Sequence, residues 1–157
     1  MVKYFAYGGN LLLRNIRSAA AAPGLRPLYA AYLKDAKMTF PVYDRKLKGG
    51  VASFSDAYLH KLWGAVFELD KKQMSALGTR LGEATGLAAN PYEVVKVEVH
   101  TREGKAVKGV YAHRANAPTG SYYPPSKKYV DYIVRGAKDC GIPESFVSEL
   151  SDMLSKL

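Results

Sequence analysis

The sequence has little cysteine and no long apolar run, and both absences narrow what the protein can be. Its 157 residues include a single cysteine, Cys140, so no internal disulfide can form. No run of 18 apolar residues suggests a membrane span. The first residues also lack the sustained apolar segment of a signal peptide. We therefore expect a cytoplasmic protein with no membrane association.

Metal-binding and nucleophile motifs are also missing. The three histidines, His60, His100 and His113, show no metal-ligand spacing such as His-Glu-x-x-His. Cys140 has no histidine close in sequence, which favours a packed thiol over a reactive one. The sequence thus predicts neither a metal nor a cofactor.

Acidic residues are outnumbered, with 14 against 23 basic ones, and the formal net charge is +9. Such a balance suits a nucleic acid or an acidic small molecule. The basic residues are spread from Lys3 to Lys156 in runs of no more than two, which favours a solvated basic surface over a nucleic-acid groove. The 12 tyrosines could stack on bases, so a nucleic-acid-binding module stays open as an alternative.

The length suits one domain, which we expect to span residues 1–157, because no internal repeat, linker or low-complexity tract divides the chain. Apolar and aromatic alternation predicts strands at Leu28–Leu33, Lys37–Tyr43, Val51–Phe54, Leu62–Leu69, Tyr92–Thr101 and Val107–His113. The first two could be one bent strand.

Helices are predicted from capping signals and apolar spacing. One should run from Leu11 to Ala22, and a second should begin after Asp70, with Gln73 in capping-box position, and fray near Gly82. Ser126 should cap a third, whose core stripe is Tyr129, Val130, Ile133, Val134 and Ala137, and Pro143 should start the last. Strands linked mainly by loops and a few helices indicate an α+β fold with a curved, largely antiparallel sheet.

The chain opens on a segment that reads as strand, tight loop and helix, Tyr4-Phe5-Ala6-Tyr7-Gly8-Gly9-Asn10. Glycines tolerate positive φ and let a ligand approach the main chain, so Gly8 and Gly9 could direct several N–H groups at one point. The dipole of the following helix would add to an anion site suited to a carboxylate. A simple turn without a ligand is the alternative.

This segment resembles the opening of the gamma-glutamylcyclotransferase family, although Gly9 stands where the family usually has serine. The likeness continues through Gly49–Ala52, Trp63–Leu69, Tyr92–Val99 and Pro124–Pro143. It implies a small, mixed, mostly antiparallel β-barrel with flanking helices. It also implies an enzyme that needs no metal, in which the α-amine of a gamma-glutamyl compound attacks its own γ-carbonyl, giving 5-oxoproline and an amine or amino acid.

The resemblance also suggests which residues bind substrate. The opening loop, consisting of Tyr4, Phe5, Ala6, Tyr7, Gly8 and Gly9, would hold the substrate through its N–H groups. Tyr92 matches a tyrosine at the start of a barrel strand, and Tyr129 matches the tyrosine of a Pro-Pro-Ser-x-x-Tyr segment that lines the family's pocket. Taken as residues alone, both could be core tyrosines with satisfied hydroxyls.

The catalytic carboxylate is where the sequence departs from the family. The family's Leu-Asp-x-x-Glu-Gly segment matches Leu77–Gly82 here, and Leu81 stands at the position of the acid/base glutamate. We hypothesise that Glu83, two residues further on, takes this role from a loop. Were it a solvent-facing glutamate instead, the protein would be a non-catalytic relative that binds an acidic metabolite. Glu68, Glu93 and Glu98 are poorer candidates.

Overall fold

Five β-strands close into a barrel, and four α-helices pack around it. The architecture is seen in a computed structural model that describes residues 1–157. In chain order the elements are β1 (Val2–Ala6), a short 3-10 helix (Gly9–Leu11), α1 (Leu13–Ala19), β2 (Tyr29–Asp44), β3 (Gly49–Leu69), α2 (Lys71–Thr85), β4 (Tyr92–Thr101), β5 (Ala106–Ala115), α3 (Lys127–Asp139) and α4 (Glu144–Ser155).

The strand order around the barrel is β1-β3-β2-β4-β5. All neighbours are antiparallel except β1 and β5, which run parallel at Tyr4 and Tyr111 and close the barrel. The α+β class and the mixed, mostly antiparallel barrel with flanking helices are thus confirmed. Because β1 lies between β3 and β5, the segment that follows it is positioned by the two strands that close the barrel.

Apolar side chains from the barrel and the helices form one continuous core of 37 buried residues. Phe5 and Phe67 are completely buried on neighbouring strands β1 and β3. The whole predicted stripe of α3 is buried, because the apolar residues recur at the helical period and face the barrel. The helix α3 also packs against the 3-10 helix. Cys140, directly after α3, donates its thiol hydrogen to the Leu11 carbonyl.

The strands β2 and β3 are longer than predicted. Leu28–Leu33 and Lys37–Tyr43 belong to one bent strand, and β3 joins Val51–Phe54 and Leu62–Leu69 through a polar stretch. Residues 57–60 bulge outward from β3 between the pairs Ala36–Asp56 and Lys34–Lys61, and Asp35 accepts from the Leu59 N–H at 2.9 Å. Pairing with β2 continues on both sides of this bulge, at Asp56 and at Lys61, and so joins the two predicted strands into one.

The helix α2 begins as predicted but ends later. Asp70 and Gln73 form a complete capping box. The predicted fraying at Gly82 is wrong, since α2 continues to Thr85 and ends at Gly86, whose φ of 68° closes a left-handed cap. One glycine costs a helix only about 1 kcal/mol relative to alanine, which is too little to stop it. Glu83 is therefore helical and does not lie in a loop.

The first helix is shorter than predicted. In place of Leu11–Ala22 the chain forms the 3-10 turn and then the seven residues of α1, which ends before Ala21, whose φ is 52°. None of the helices has both the length and the apolar character needed to span a membrane.

Candidate active site

A cavity of about 680 Å³ opens between the segment after β1, the turn after β2, and the helices α2 and α3. Of the predicted substrate-binding residues, seven line it: Tyr4, Ala6, Tyr7, Gly8, Gly9, Tyr92 and Tyr129. Phe5 does not, because strand alternation turns its side chain to the other face, where it is fully buried against Gly64. The cavity thus gathers residues from the beginning, middle and end of the chain.

The two loop glycines are needed for close packing and not for positive φ. Gly8 has a φ of −108°, and neither Gly8 nor Gly9 is among the positive-φ residues, so that expectation was wrong. A Cβ on Gly8 would lie 2.9 Å from the Tyr129 hydroxyl oxygen, and one on Gly9 would lie 2.8 Å from Tyr129 Cε1. The missing side chains let the Tyr129 ring rest directly on the loop.

The loop's hydrogen bonds revise the expected anion site. The Gly9 N–H donates to the Tyr129 hydroxyl at 3.3 Å, and Asn15 Nδ2 donates to the Gly9 carbonyl at 3.0 Å. The Gly8 N–H donates to no protein acceptor. The helix α1 starts only at Leu13 and has seven residues, so its dipole does not focus on the loop as expected. The Gly8 N–H is therefore free at this part of the site, as are the main-chain N–H groups of Tyr7 and Asn10, which also donate to no protein acceptor.

Tyr129 holds two elements together through its hydroxyl oxygen. That oxygen accepts from the Ala52 N–H at 2.8 Å and from the Gly9 N–H at 3.3 Å. Burial raises the pKa of Tyr129 to about 12, although the two N–H groups lower it, and the negative charge of Asp44 raises it further. The hydroxyl stays protonated at neutral pH. With both lone pairs engaged, its hydrogen is left to donate into the cavity.

Three other cavity tyrosines, Tyr4, Tyr7 and Tyr92, have their hydroxyls hydrogen-bonded by the protein itself. The Tyr92 hydroxyl donates to the Ala52 carbonyl at 3.2 Å, and the Tyr7 hydroxyl donates to the His113 carbonyl. The Tyr4 hydroxyl and His113 Nδ1 are hydrogen-bonded at 2.9 Å. Burial raises the pKa of Tyr4, Tyr7 and Tyr92 well above the usual tyrosine value. These three side chains therefore form a neutral wall.

His113, which the sequence marked only as a strand or surface residue, belongs to this wall. It is 4% exposed on β5, and burial lowers its pKa to about 4. The ring is thus neutral at physiological pH. The only sequence signal for His113 was that a polar residue occupies a position of an alternating strand that could be buried. Whether that position is buried depends on the register of the barrel strands.

Glu83 and Leu81 both border the cavity from the last two turns of α2. Leu81 is half-buried, whereas the Glu83 side chain is exposed. The hypothesised acid/base therefore stands at the rim of the cavity, in contact with solvent.

Asp44 is a second cavity carboxylate, which sequence reasoning missed. It is the last residue of β2 and is 5% exposed. Its Oδ1 accepts from the N–H groups of Lys46 and Leu47 at 2.8 and 2.9 Å. In the sequence it only opens a charged loop, and nothing local signals that the barrel buries it.

Three exposed cations, Lys46, Arg80 and Lys128, surround the cavity mouth. Outside the cavity, Cys140 is buried, and burial raises its pKa to about 11. No group of three potential metal-ligating side chains occurs in residues 1–157.

Comparison with known proteins links this geometry to one family. The model of the AIG2-like family matches residues 61–150, more than half of the chain. Gamma-glutamylcyclotransferase of Mus musculus is 31% identical over 94% of this chain and 76% of its own length, and that of Homo sapiens is 30% identical with the same coverage. A solved gamma-glutamyl cyclotransferase structure, 28% identical, superposes with a TM-score of 0.82 over 96% of this chain and 86% of its own. On this identity and coverage, the chain belongs to the gamma-glutamylcyclotransferase family of enzymes.

Proposed function

We propose that this chain cyclises a small gamma-glutamyl compound, releasing 5-oxoproline and an amine or amino acid. The relatives named gamma-glutamylcyclotransferase support the reaction class. The observation that carries the proposal is that one cavity combines hydrogen-bond donors, a neutral aromatic wall and two carboxylates. Its volume, about 680 Å³, is in the range of cavities that enclose small organic ligands.

Nucleophile and electrophile belong to the same substrate molecule, so the protein has to fold that molecule into a ring-closing geometry. Holding reacting groups in such a geometry can contribute up to about 7 to 11 kcal/mol. The tyrosine wall of Tyr4, Tyr7 and Tyr92 suits this task, because each side chain is buried and hydrogen-bonded to the barrel. A rigid wall limits the conformations that a bound gamma-glutamyl chain can take.

Donors are needed where negative charge develops on the γ-carbonyl oxygen. The Gly8 N–H and the Tyr129 hydroxyl lie on the same side of the cavity, since a Cβ on Gly8 would touch that hydroxyl oxygen. Both are held by the protein before substrate arrives, which avoids reorganisation during the reaction. We assign this pair to the oxyanion, and the remaining main chain of the opening loop to the substrate's α-carboxylate end.

Proton transfer requires a carboxylate, because the α-ammonium must lose a proton and the leaving nitrogen must gain one. Glu83 and Asp44 are the carboxylates that border the cavity. The sequence favours Glu83 for this role, because it lies two residues after Leu81, which stands at the family's glutamate position.

The charges at the cavity mouth bear on the leaving group. Lys46, Arg80 and Lys128 would attract a carboxylate on the released part of the substrate. We therefore propose gamma-glutamyl amino acids, in preference to gamma-glutamyl amines, as the substrate class.

One observation favours a second function. Leu81 borders the cavity at the position of the family's acid/base, and a leucine cannot transfer a proton. A non-catalytic relative that binds an acidic metabolite in the same cavity would keep the donors and the cationic mouth without turnover.

A panel of gamma-glutamyl dipeptides and gamma-glutamyl amines separates the two functions, with 5-oxoproline release as the readout. We expect release from the dipeptides, and a lower kcat/KM for the amines because they lack the second carboxylate. Calorimetric titration with 5-oxoproline and glutamate measures occupancy of the cavity independently. Binding without turnover of any panel member would establish the non-catalytic function instead.

A further inference from the structure

We infer that Asp44 is the catalytic carboxylate, taking the proton from the substrate's α-ammonium and returning it to the leaving nitrogen. This inference rests on the proposed cyclisation. It moves the acid/base role from α2, where the sequence suggests it, to the end of β2, on the other side of the cavity.

The first argument is the cost of burying Asp44. Its side chain is 5% exposed, yet it forms no ion pair, since the two ion pairs of the protein join His100 with Glu98 and Arg135 with Asp131. A buried carboxylate without a cation is expensive unless hydrogen bonds or a ligand compensate it. A buried carboxylate that lines a cavity and has no cation partner is therefore a candidate functional group.

The turn that Asp44 caps does not account for this burial. Oδ1 alone accepts from the Lys46 and Leu47 N–H groups, and Oδ2 accepts from no protein donor. An aspartate can accept from a main-chain N–H equally well at an exposed position, as Asp35 of β2 does through one oxygen from the Leu59 N–H of β3. Oδ2 of Asp44 is therefore available to a ligand in the cavity.

The surroundings of Asp44 match the needs of proton transfer. Asp44 and the proposed oxyanion donor Tyr129 line the same cavity, and the negative charge of Asp44 adds to the burial that raises the pKa of Tyr129. The same charge also acts on Tyr92, after burial and the neighbouring tyrosines. Glu83, by contrast, is exposed to water at the rim.

The proton balance closes with one carboxylate. Asp44 Oδ2 accepts a proton from the α-ammonium, and the free amine attacks the γ-carbonyl carbon to form the ring C–N bond. The nitrogen then gives up a second proton as the tetrahedral intermediate collapses and the bond to the leaving nitrogen breaks. Asp44 passes the first proton to the leaving nitrogen as that bond breaks, then accepts the second proton from the ring nitrogen and passes it on as well. Both protons thus end on the leaving amine, which departs as an ammonium, and Asp44 is again a carboxylate.

Asp44→Asn tests the assignment with little change to the fold, because the amide oxygen can still accept from Lys46 and Leu47. We expect kcat/KM for a gamma-glutamyl dipeptide to fall about 100- to 10,000-fold, the usual contribution of general acid/base catalysis. Binding of 5-oxoproline by calorimetry and the thermal unfolding midpoint should stay close to wild type.

Asp35→Asn is the matched control, since it alters an aspartate of the same strand that also caps an N–H group, away from the cavity. Its activity should equal that of the wild type. Asp44→Ser provides a second variant, because a serine hydroxyl can cap the turn and leaves room for added formate. Partial recovery of turnover with formate, in a folded Asp44→Ser, would identify a missing carboxylate as the defect.

Glu83→Gln decides between the two carboxylates. A loss in Glu83→Gln with full activity in Asp44→Asn would overturn the inference and restore Glu83 as the acid/base. Full activity in both folded variants would overturn it as well. If the wild type itself releases no 5-oxoproline from any panel member, the proposed function fails. If the wild type is active and Asp44→Asn is equally active, only the inference about Asp44 fails.

Discussion

Gly8 and Gly9 have no side chain, and Tyr129 occupies the space that a side chain would need. The contact joins residues 120 positions apart through the Gly9 N–H and the Tyr129 hydroxyl. Serine at position 9, as the family usually has it, would place its Cβ 2.8 Å from the Tyr129 ring and force one of them to move. The glycine pair therefore sets the distance between the opening loop and α3.

Gly8→Val should abolish binding of 5-oxoproline and glutamate. The valine Cβ would lie 2.9 Å from the Tyr129 hydroxyl oxygen and 3.0 Å from Ala52 Cβ, so it would displace the proposed donor and fill the space beside it. Calorimetric titration measures the loss, with Lys105→Ala on the exposed hairpin turn as the control. Unchanged binding in a folded Gly8→Val would remove the loop from the site.

His113 should make the protein less stable as the pH falls from about 6.5 to about 4. Its pKa is lowered from 6.5 to about 4 in the folded state by burial, so within this window the unfolded state binds a proton that the folded state does not. Above pH 6.5 the residue contributes no pH dependence, and below pH 4 the loss is complete, at about 3 kcal/mol at most.

Urea unfolding of wild type and His113→Asn at several pH values in this window measures the effect. Asparagine has both a donor and an acceptor and can replace either role of the imidazole toward Tyr4. The variant should lose less stability on acidification than the wild type. Parallel pH profiles for the two proteins would rule out the titration of His113.

At the scale of elements, the contact between α3 and the 3-10 helix positions both Tyr129 and the opening loop. Gly136, in the last turn of α3, lies directly on the main chain of Leu11 and Leu12. The absence of a side chain at this position lets the helix approach closely, and Ser126 caps its first turn by accepting from the Tyr129 N–H at 3.3 Å. One end of the cavity depends on this close approach.

Gly136→Ala should destabilise the protein by about 1 to 3 kcal/mol, because the new Cβ would overlap the main chain of Leu11 and Leu12. Helix propensity alone predicts the opposite sign, a gain of about 1 kcal/mol. Chemical denaturation measures which effect dominates. Gly24→Ala is the control, since its Cβ would meet open space. A stabilised Gly136→Ala would show that α3 can move away without cost.

At the scale of the whole molecule, the net charge of +9 comes from basic residues spread along the chain from Lys3 to Lys156 in runs of no more than two. The cations that cluster at the cavity mouth surround a space suited to a small molecule. The basic surface should therefore contribute long-range attraction for anions more than recognition of a polymer.

Binding to oligonucleotides should be weak and non-specific at a physiological salt concentration of about 150 mM. Several phosphate contacts would make the logarithm of the affinity fall steeply and linearly with the logarithm of the salt concentration. Fluorescence anisotropy over a salt series measures this slope. Submicromolar, sequence-specific binding at about 150 mM salt would favour the nucleic-acid-binding alternative.

Local chemistry let the sequence determine several elements and part of the site. The capping box of Asp70 and Gln73, the Ser126 cap and the strand Tyr92–Thr101 were predicted as they occur, because each depends on neighbours within a few residues. The family resemblance extended this to the barrel and to seven of the 24 residues that line the cavity.

The tertiary structure alone decided which carboxylate is buried and how long the central strands are. Nothing local in the sequence marks Asp44 as buried or Glu83 as exposed, yet the folded protein buries the first and leaves the second exposed. The two predicted segments of β3 form one strand because β2 pairs with both of them, on either side of the bulge at residues 57–60. Burial and strand pairing are set by residues far apart in the chain, so no local pattern of side chains could have specified them.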